Sequence, residues 1–132
     1  MREFVLHERL EADTVFVADW PLCRVLLMND ARYPWLVLVP RRAEATEIFE
    51  LDIQDRALLI EETARAARAL KPYATKINIG ALGNLVPQLH IHVVARNVGD
   101  AAWPGPVWGQ GKAVAYAPGD LDARRAQLVK TL

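Results

Sequence analysis

The chain has 132 residues, which is enough for one domain with a substantial hydrophobic core. Its composition is 52% hydrophobic and 24% charged with no low-complexity tract, which is typical of a globular protein and excludes a disordered chain. Sixteen basic residues balance sixteen acidic ones, so the net charge predicts no general attraction to nucleic acid or to an anionic membrane.

Cysteine usage and the N-terminal residues predict the cellular compartment. The single cysteine, Cys23, cannot form an internal disulfide, and residues 1–10 contain no apolar run followed by a small-residue cleavage site. The longest unbroken apolar runs, such as residues 35–40, are far too short to span a membrane. We therefore expect a cytoplasmic protein in which residues 1–132 form a single domain.

The first half of the chain predicts three strands. Residues 1–10 are ambiguous between a short helix and a short strand. Runs of β-branched and apolar residues predict strands at residues 14–18 and at Cys23–Met28, and their short separation is typical of an antiparallel hairpin. Residues 35–39 (WLVLV) predict a third strand, which the following proline ends.

The second half predicts a long helix, two strands and a final helix. Residues 53–71 are rich in Ala, Leu, Glu and Arg and follow Asp52, a good N-cap residue. Strands are predicted at residues 76–80 and 88–96, a surface loop rich in Pro and Gly at residues 103–109, and a helix from Asp120 as N-cap to the C-terminus. Grouped strands favour an α+β fold in which an antiparallel sheet carries one main helix.

Apolar residues recur every three or four positions along the long helix and predict the face that packs on the sheet. The stripe consists of Ile53, Ala57, Ile60, Ala64 and Ala67, widened by Leu59, Thr63 and Leu70. In the final helix, Leu121, Leu128 and Leu132 are expected to lie on one side.

The stretch QLHIHVVAR, residues 88–96, carries the clearest chemical signal. Its strand-like alternation places Gln88, His90 and His92 on one face. Neutral imidazole is a good nucleophile toward phosphorus when one ring nitrogen is held as N–H and the other presents its lone pair. Two charged rings about 6.5 Å apart would repel by about 2.5 kcal/mol, so the pair is expected to carry at most one charge near neutral pH.

Two other interpretations of this stretch remain open. Polar residues on an edge strand can simply face solvent, which is the usual role of an isolated histidine. An H-x-H pair can also bind zinc or iron, but a metal site needs a third ligand. The candidates for that ligand are His7, Cys23 and scattered carboxylates without a recognisable spacing.

The chain resembles the histidine triad (HIT) family of nucleotide hydrolases and transferases from about residue 16 to residue 104. The resemblance rests on QLHIHVVAR, on the earlier WLVLVPRR, on Asn78 and Asn84, and on Trp103 with its following proline. The family pattern is H-x-H-x-H followed by two apolar residues, and Gln88 stands at the first histidine position. Many members carry a further histidine near the start of the third strand, where this chain has Trp35.

The resemblance implies an antiparallel sheet of about five strands with a long helix packed on it, a homodimer, and no cofactor or metal. It implies that His90 attacks the α-phosphorus of a nucleotide conjugate and that His92 contacts the phosphate or the leaving group. The loop before the strand, with Asn84 and Leu85, would hold the phosphate together with Asn78. Asn29 or Asp30 would bind the ribose hydroxyls. The Gln88 side-chain amide would donate a hydrogen bond to a phosphate oxygen, and the Gln88 backbone carbonyl would orient His90.

Three functions are compatible with these residues. The first is an enzyme that acts on purine nucleotide conjugates, such as phosphoramidates or dinucleoside polyphosphates, through a nucleotidyl-histidine intermediate on His90. The second is a nucleotide-binding or regulatory protein with little or no catalysis, because an amide at Gln88 cannot carry charge or transfer a proton as imidazole does. The third is an interaction module that retains only the fold.

Overall fold

An antiparallel sheet of five strands in the order β1-β2-β3-β5-β4 forms the centre of the protein, as a computed structural model of residues 2–132 shows. The strands are β1 (Thr14–Asp19), β2 (Cys23–Met28), β3 (Trp35–Pro40), β4 (Lys76–Gly80) and β5 (Ile91–Arg96). The helices are α1 (Glu8–Asp13), α2 (Ile53–Leu70) and α3 (Asp120–Thr131), with short 3₁₀ turns at Ile48–Glu50 and Lys71–Tyr73. The predicted α+β class is confirmed.

Helix α2 begins where the sequence predicts and ends at Leu70, one residue before the predicted end. The Asp52 carboxylate accepts a hydrogen bond of 2.8 Å from the backbone N–H of Asp55, which satisfies one of the free donors of the first turn. The helix gives way after Leu70 to a 3₁₀ turn that contains Pro72. None of the helices in residues 2–132 is long and apolar enough to cross a membrane.

The predicted buried face of α2 was wrong in part. Ile53 and Ile60 are 73% and 67% exposed, and Ala57 is exposed as well. The helix buries Leu59, Thr63 and Leu70, as the widened stripe predicts, and also Asp55, Glu62, Ala66 and Ala69, which the stripe does not contain. Its two central polar residues can be buried because both are hydrogen-bonded: Glu62 accepts the backbone N–H groups of Leu22 and Cys23, and the Thr63 hydroxyl donates to the Leu59 carbonyl.

The sheet is covered on both faces. Helix α2 and Leu128 of α3 pack on one face, against side chains of the central strands such as Leu36, Leu38 and Val93. Gly119, with φ of +85°, is the N-cap of α3, and Asp120, which the sequence predicts as N-cap, is the first helical residue. The opposite face is covered by α1 and by the segment after β5, through a second cluster that includes Leu10, Tyr33, Trp35, Val39 and Val107.

This second face holds the stretch that contains the histidines. Strand β5 begins at Ile91, so residues 88–90 lead into the strand and lie outside its ladder. His90 and His92 are only 6% and 7% exposed, so the polar face predicted for this strand is covered rather than open. In the ladder His92 lies opposite Val37 on one side and Gly80 on the other, close to the centre of the sheet.

Candidate active site

A cavity of about 500 Å³ lies over the second face of the sheet. His90 and His92 contribute to its wall, together with residues of α1, the loop before β5 and the segment after β5. Its volume falls in the usual range for small-molecule sites. We call it the histidine cavity, and its lining includes Leu10, Met28, Asp30, Trp35, Asn84, Leu85, His90, His92, Val107 and Trp108.

The tautomer of His90 follows from one contact. Its Nδ1 lies 2.7 Å from the backbone carbonyl oxygen of Gln88. Because a carbonyl can only accept, Nδ1 carries the hydrogen and Nε2 presents its lone pair. This is the orienting contact that the sequence predicts for the Gln88 carbonyl.

His92 is held in the opposite tautomer. The indole Nε1–H of Trp35 donates to His92 Nδ1 over 3.0 Å. Because an indole N–H can only donate, Nδ1 of His92 must accept, and in the neutral ring Nε2 carries the hydrogen. The ring also lies edge-to-face between the indoles of Trp35 and Trp108, with centroid distances of 5.5 and 5.6 Å.

Burial keeps His92 uncharged. Removal of the ring from water, with a further contribution from the neighbouring His90, lowers the pKa of His92 from 6.5 to about 3. The centroids of the two imidazoles are 4.8 Å apart. The expectation that the pair carries at most one charge near neutral pH agrees with this shift, although burial rather than mutual repulsion is the larger cause.

Gln88 faces a second cavity and binds the N-terminal segment. Its Oε1 accepts the backbone N–H of His7 at 2.8 Å, and its Nε2 donates to the Val5 carbonyl at 2.9 Å. It lines a cavity of about 570 Å³, the side cavity, which shares Leu82, Gly83 and His90 with the histidine cavity. One N–H of the Gln88 amide is therefore engaged by the Val5 carbonyl, and its second N–H is the one that could donate to a phosphate.

The loop before β5 offers free donors to both cavities. Asn84 and Leu85 are exposed and line the histidine cavity, and Gly83 turns the chain with φ of +75°. Among residues 2–132, no acceptor is found for the backbone N–H groups of residues 82–86. Successive free N–H groups of this kind suit an anionic ligand.

Asn78 does not line the histidine cavity. It lies on β4 opposite Val94, and its Oδ1 accepts a 2.8 Å hydrogen bond from Arg96. The Arg96 guanidinium is fully buried and also forms a bidentate ion pair with Asp100. Asn78 thus supports a buried arginine, and the structure does not bring it to the residues predicted to share its phosphate-binding role.

Asn29 and Asp30 hold the C-terminal segment. The Asn29 side chain accepts the backbone N–H of Tyr116, and the Asp30 carboxylate accepts from Val114 and, in a bidentate pair, from Arg32. Burial opposes ionisation of Asp30, but the hydrogen bonds from Arg32 and Val114, together with the Arg32 charge, lower the pKa of this carboxyl. Asp30 borders the cavity but is only 1% exposed, so its predicted ribose contact would require exchange of these partners.

Comparison with known proteins identifies the family. The chain matches the HIT domain over residues 9–99. The protein belongs to the HIT family. Among curated proteins no sequence match was found.

Solved structures of other histidine triad proteins agree with this HIT fold. Proteins from Bradyrhizobium japonicum and Sinorhizobium meliloti are 48% and 50% identical to this chain, each with a TM-score of 0.94 and 98% of this chain covered. The alignments cover 98% and 97% of those chains. A histidine triad protein from Marinobacter aquaeolei is 43% identical with a TM-score of 0.95, covering 99% of this chain and 97% of its own.

Three residues of this HIT site were not predicted from sequence. Trp35 donates to His92, Trp108 packs on the same ring, and Arg32 pairs with Asp30. The sequence pointed only to Trp35, which occupies a position where many members of the family have histidine.

The proposed third metal ligands do not join the histidine pair. Within the described residues 2–132, no three His, Cys, Asp or Glu side chains gather as a metal site requires. Cys23 is fully buried in the core on the α2 side, where burial and the nearby Glu62 raise the pKa of its thiol. The His7 ring, half-buried, caps helix α1 by accepting from the backbone N–H of Arg9.

Proposed function

We propose that this HIT protein, acting as a single domain, is a nucleotide hydrolase or nucleotidyltransferase that works on the α-phosphate of purine nucleotide conjugates. The observation that carries the proposal is the tautomer of His90, whose Nδ1–H is bound to the Gln88 carbonyl so that Nε2 presents a lone pair. Membership of the family supports a nucleotide as the ligand.

The mechanism uses His90 as a covalent nucleophile. Its Nε2 attacks the α-phosphorus, the bond from phosphorus to the leaving group breaks, and water or another acceptor later releases the nucleotide from the ring. The nucleoside would occupy the histidine cavity, whose walls include Leu10, Met28 and Trp35. Free N–H groups of residues 82–86, with Asn84, would hold the phosphate oxygens.

The remaining predicted site residues act indirectly in this proposal. Gln88 stands at the position of the first triad histidine, orients His90 through its carbonyl, and anchors the N-terminal segment through its amide. Asn78 supports the buried Arg96. Asn29 and Asp30 tie down the C-terminal segment beside the cavity, and Asp30 reaches a ribose hydroxyl when Arg32 or Val114 gives way.

Two conjugates of the same nucleoside test the proposal. The protein is incubated separately with diadenosine tetraphosphate and with adenosine phosphoramidate, denatured at alkaline pH, and examined by intact-protein and peptide mass spectrometry. We expect an adenylyl group on His90 in the wild type and in the control variant His7→Ala, and none in His90→Ala. Turnover that survives His90→Ala would contradict the assigned role.

A second candidate is a nucleotide-binding protein without catalysis. It is favoured by Gln88, because an amide cannot transfer a proton and both of its ends are engaged by the N-terminal segment. Calorimetric binding of AMP without turnover of either conjugate, and without an adduct on His90, would favour this candidate over the enzyme.

We also propose a homodimer, as the family resemblance implies. Strand β4 lies at the edge of the sheet, and its Ile79 is 53% exposed. A free strand edge with an apolar side chain is a surface that a second copy could cover. Light scattering coupled to size exclusion measures the mass directly, and a monomer at every concentration would refute this assembly.

A further inference from the structure

Two adjacent histidines in this site hold opposite tautomers because each has a partner that can act in only one way. The Gln88 carbonyl can only accept, so His90 has its hydrogen on Nδ1. The Trp35 indole can only donate, so His92 has its hydrogen on Nε2. The pair therefore offers one lone pair, on His90, and one N–H donor, on His92.

Protonation of His92 is opposed by its surroundings. A second proton would have to reside on Nδ1, which would then face the Trp35 N–H at 3.0 Å, donor against donor. The ring is buried between two indoles, and the pKa of His92 is lowered accordingly. His92 can donate a hydrogen bond to a phosphate oxygen, but it holds no spare proton for a leaving group.

The charged groups around the histidine cavity do not replace that proton. Besides the two histidines, the ionisable side chains there are Arg9, Asp13, Asp30 and Arg32. Asp30 accepts from Arg32, and Asp13 is exposed beside Arg9, with Nε and Oδ2 3.8 Å apart. Carboxylates in such pairs are acceptors, and guanidinium groups do not give up protons in proteins.

The side cavity is equally poor in acids. Its titratable side chains besides His90 are Glu47 and Arg56. Glu47 is an exposed carboxylate whose backbone N–H donates to the Glu50 side chain, and Arg56 donates to the Leu51 carbonyl. The Gln88 amide has no acidic proton. Along residues 2–132, every ionisable group on the two cavity walls other than His92 is thus a carboxylate, a guanidinium or the nucleophile itself, and His92 is a neutral hydrogen-bond donor.

We propose that this site selects nucleotide conjugates whose leaving group departs without a proton, namely phosphoric anhydrides, over phosphoramidates, and that Trp35 is the positioning residue behind this selectivity. The inference rests on the proposed function and narrows its substrate class. An anhydride releases a phosphate oxygen that is stable as an anion. A phosphoramidate releases an amine, whose nitrogen must gain a proton as the P–N bond breaks.

The anhydride reaction balances with the groups present. The His90 Nε2 lone pair forms the N–P bond while the P–O bond breaks, and its electron pair stays on the departing phosphate. In the nucleotidyl-histidine intermediate, the Nδ1–H of His90 keeps its hydrogen bond to the Gln88 carbonyl. Water then attacks phosphorus, the N–P pair returns to Nε2, and the proton lost by the water passes to solvent.

The kinetic test compares kcat/KM for diadenosine tetraphosphate and adenosine phosphoramidate across the pH range. A positioned general acid contributes about 10²–10⁴-fold, so we expect the wild type to favour the anhydride by a factor of about 10² or more. Trp35→Phe keeps an aromatic ring but removes the donor to His92 Nδ1. In that variant the anhydride preference should narrow, and phosphoramidate turnover should gain a limb that rises toward acid pH.

Nitrogen NMR supplies a readout that does not depend on turnover. In the wild type, the His92 ring should show the hydrogen on Nε2 and no titration between about pH 8 and pH 5. In Trp35→Phe, where Nδ1 has lost its donor, the hydrogen should no longer be confined to Nε2. If this variant does not fold, the wild-type spectrum remains as the test. Titration of His92 between about pH 8 and pH 5 in that spectrum would overturn the inference.

Failure of the inference can be told apart from failure of the proposed function. Equal or faster turnover of the phosphoramidate, with the adduct on His90, overturns the anhydride selectivity and leaves the enzyme intact. No adduct with either conjugate overturns the enzyme and the selectivity together.

Discussion

Acid should destabilise this protein through His92. The ring is uncharged in the folded state, where its pKa is about 3, and it takes up a proton in the unfolded state below the ordinary value of 6.5. Because the unfolded state binds the extra proton, stability falls as the pH drops from about 6.5 toward about 3. At about pH 5 this single group should cost about 2 kcal/mol of the free energy of unfolding, relative to about pH 7.5.

Urea unfolding of the wild type and of His92→Gln, at about pH 7.5 and about pH 5, measures this cost. Glutamine does not titrate, and its side-chain oxygen can still accept the Trp35 N–H, so the variant should lose about 2 kcal/mol less than the wild type between the two pH values. His7→Gln serves as the control, since it removes a histidine at the start of α1 and leaves the buried ring in place. If His92→Gln loses as much stability as the wild type, His92 is not the group responsible.

Three further substitutions test contacts around the site by urea unfolding. Gln88→Ala removes two hydrogen bonds to the N-terminal segment and should cost about 1–3 kcal/mol. Gly80→Ala places a Cβ 2.9 Å from the Trp108 ring, which packs on His92. The substitution should lower the free energy of unfolding by about 1–3 kcal/mol and shift the indole N–H signal of Trp108. Glu62→Ala leaves two buried backbone N–H groups at β2 without an acceptor and should cost about 2–4 kcal/mol.

Each of these substitutions has its own contradicting result. For Gln88, unchanged stability would mean that the N-terminal segment is not held by the amide. For Gly80, the cost should shrink in a Trp108→Leu background, and an undiminished cost would exclude a clash with that ring. For Glu62, Glu62→Gln retains one acceptor and should be milder than the alanine variant; equal costs would exclude the hydrogen bonds as the cause.

Local patterns in the sequence were sufficient for the arrangement of strands and helices. The period of two in WLVLV and in QLHIHVVAR, and the Asp52 cap before a run of good helix formers, depend on residues a few positions apart. The buried face of α2 was less secure. The predicted stripe contained Thr63 but not Glu62, and Glu62 is buried because the backbone N–H groups of Leu22 and Cys23, 40 and 39 residues away along the chain, satisfy its carboxylate.

The sequence by itself therefore determined the antiparallel α+β fold and the proximity of His90 to His92 at the start of β5. Only the tertiary structure decided what each ring can do. The donor to His92 is 57 residues away at Trp35, and the partners of the Gln88 amide are 81 and 83 residues away in the N-terminal segment. A tautomer depends on whether its partner donates or accepts, and that partner is chosen by the packing of distant segments rather than by local periodicity.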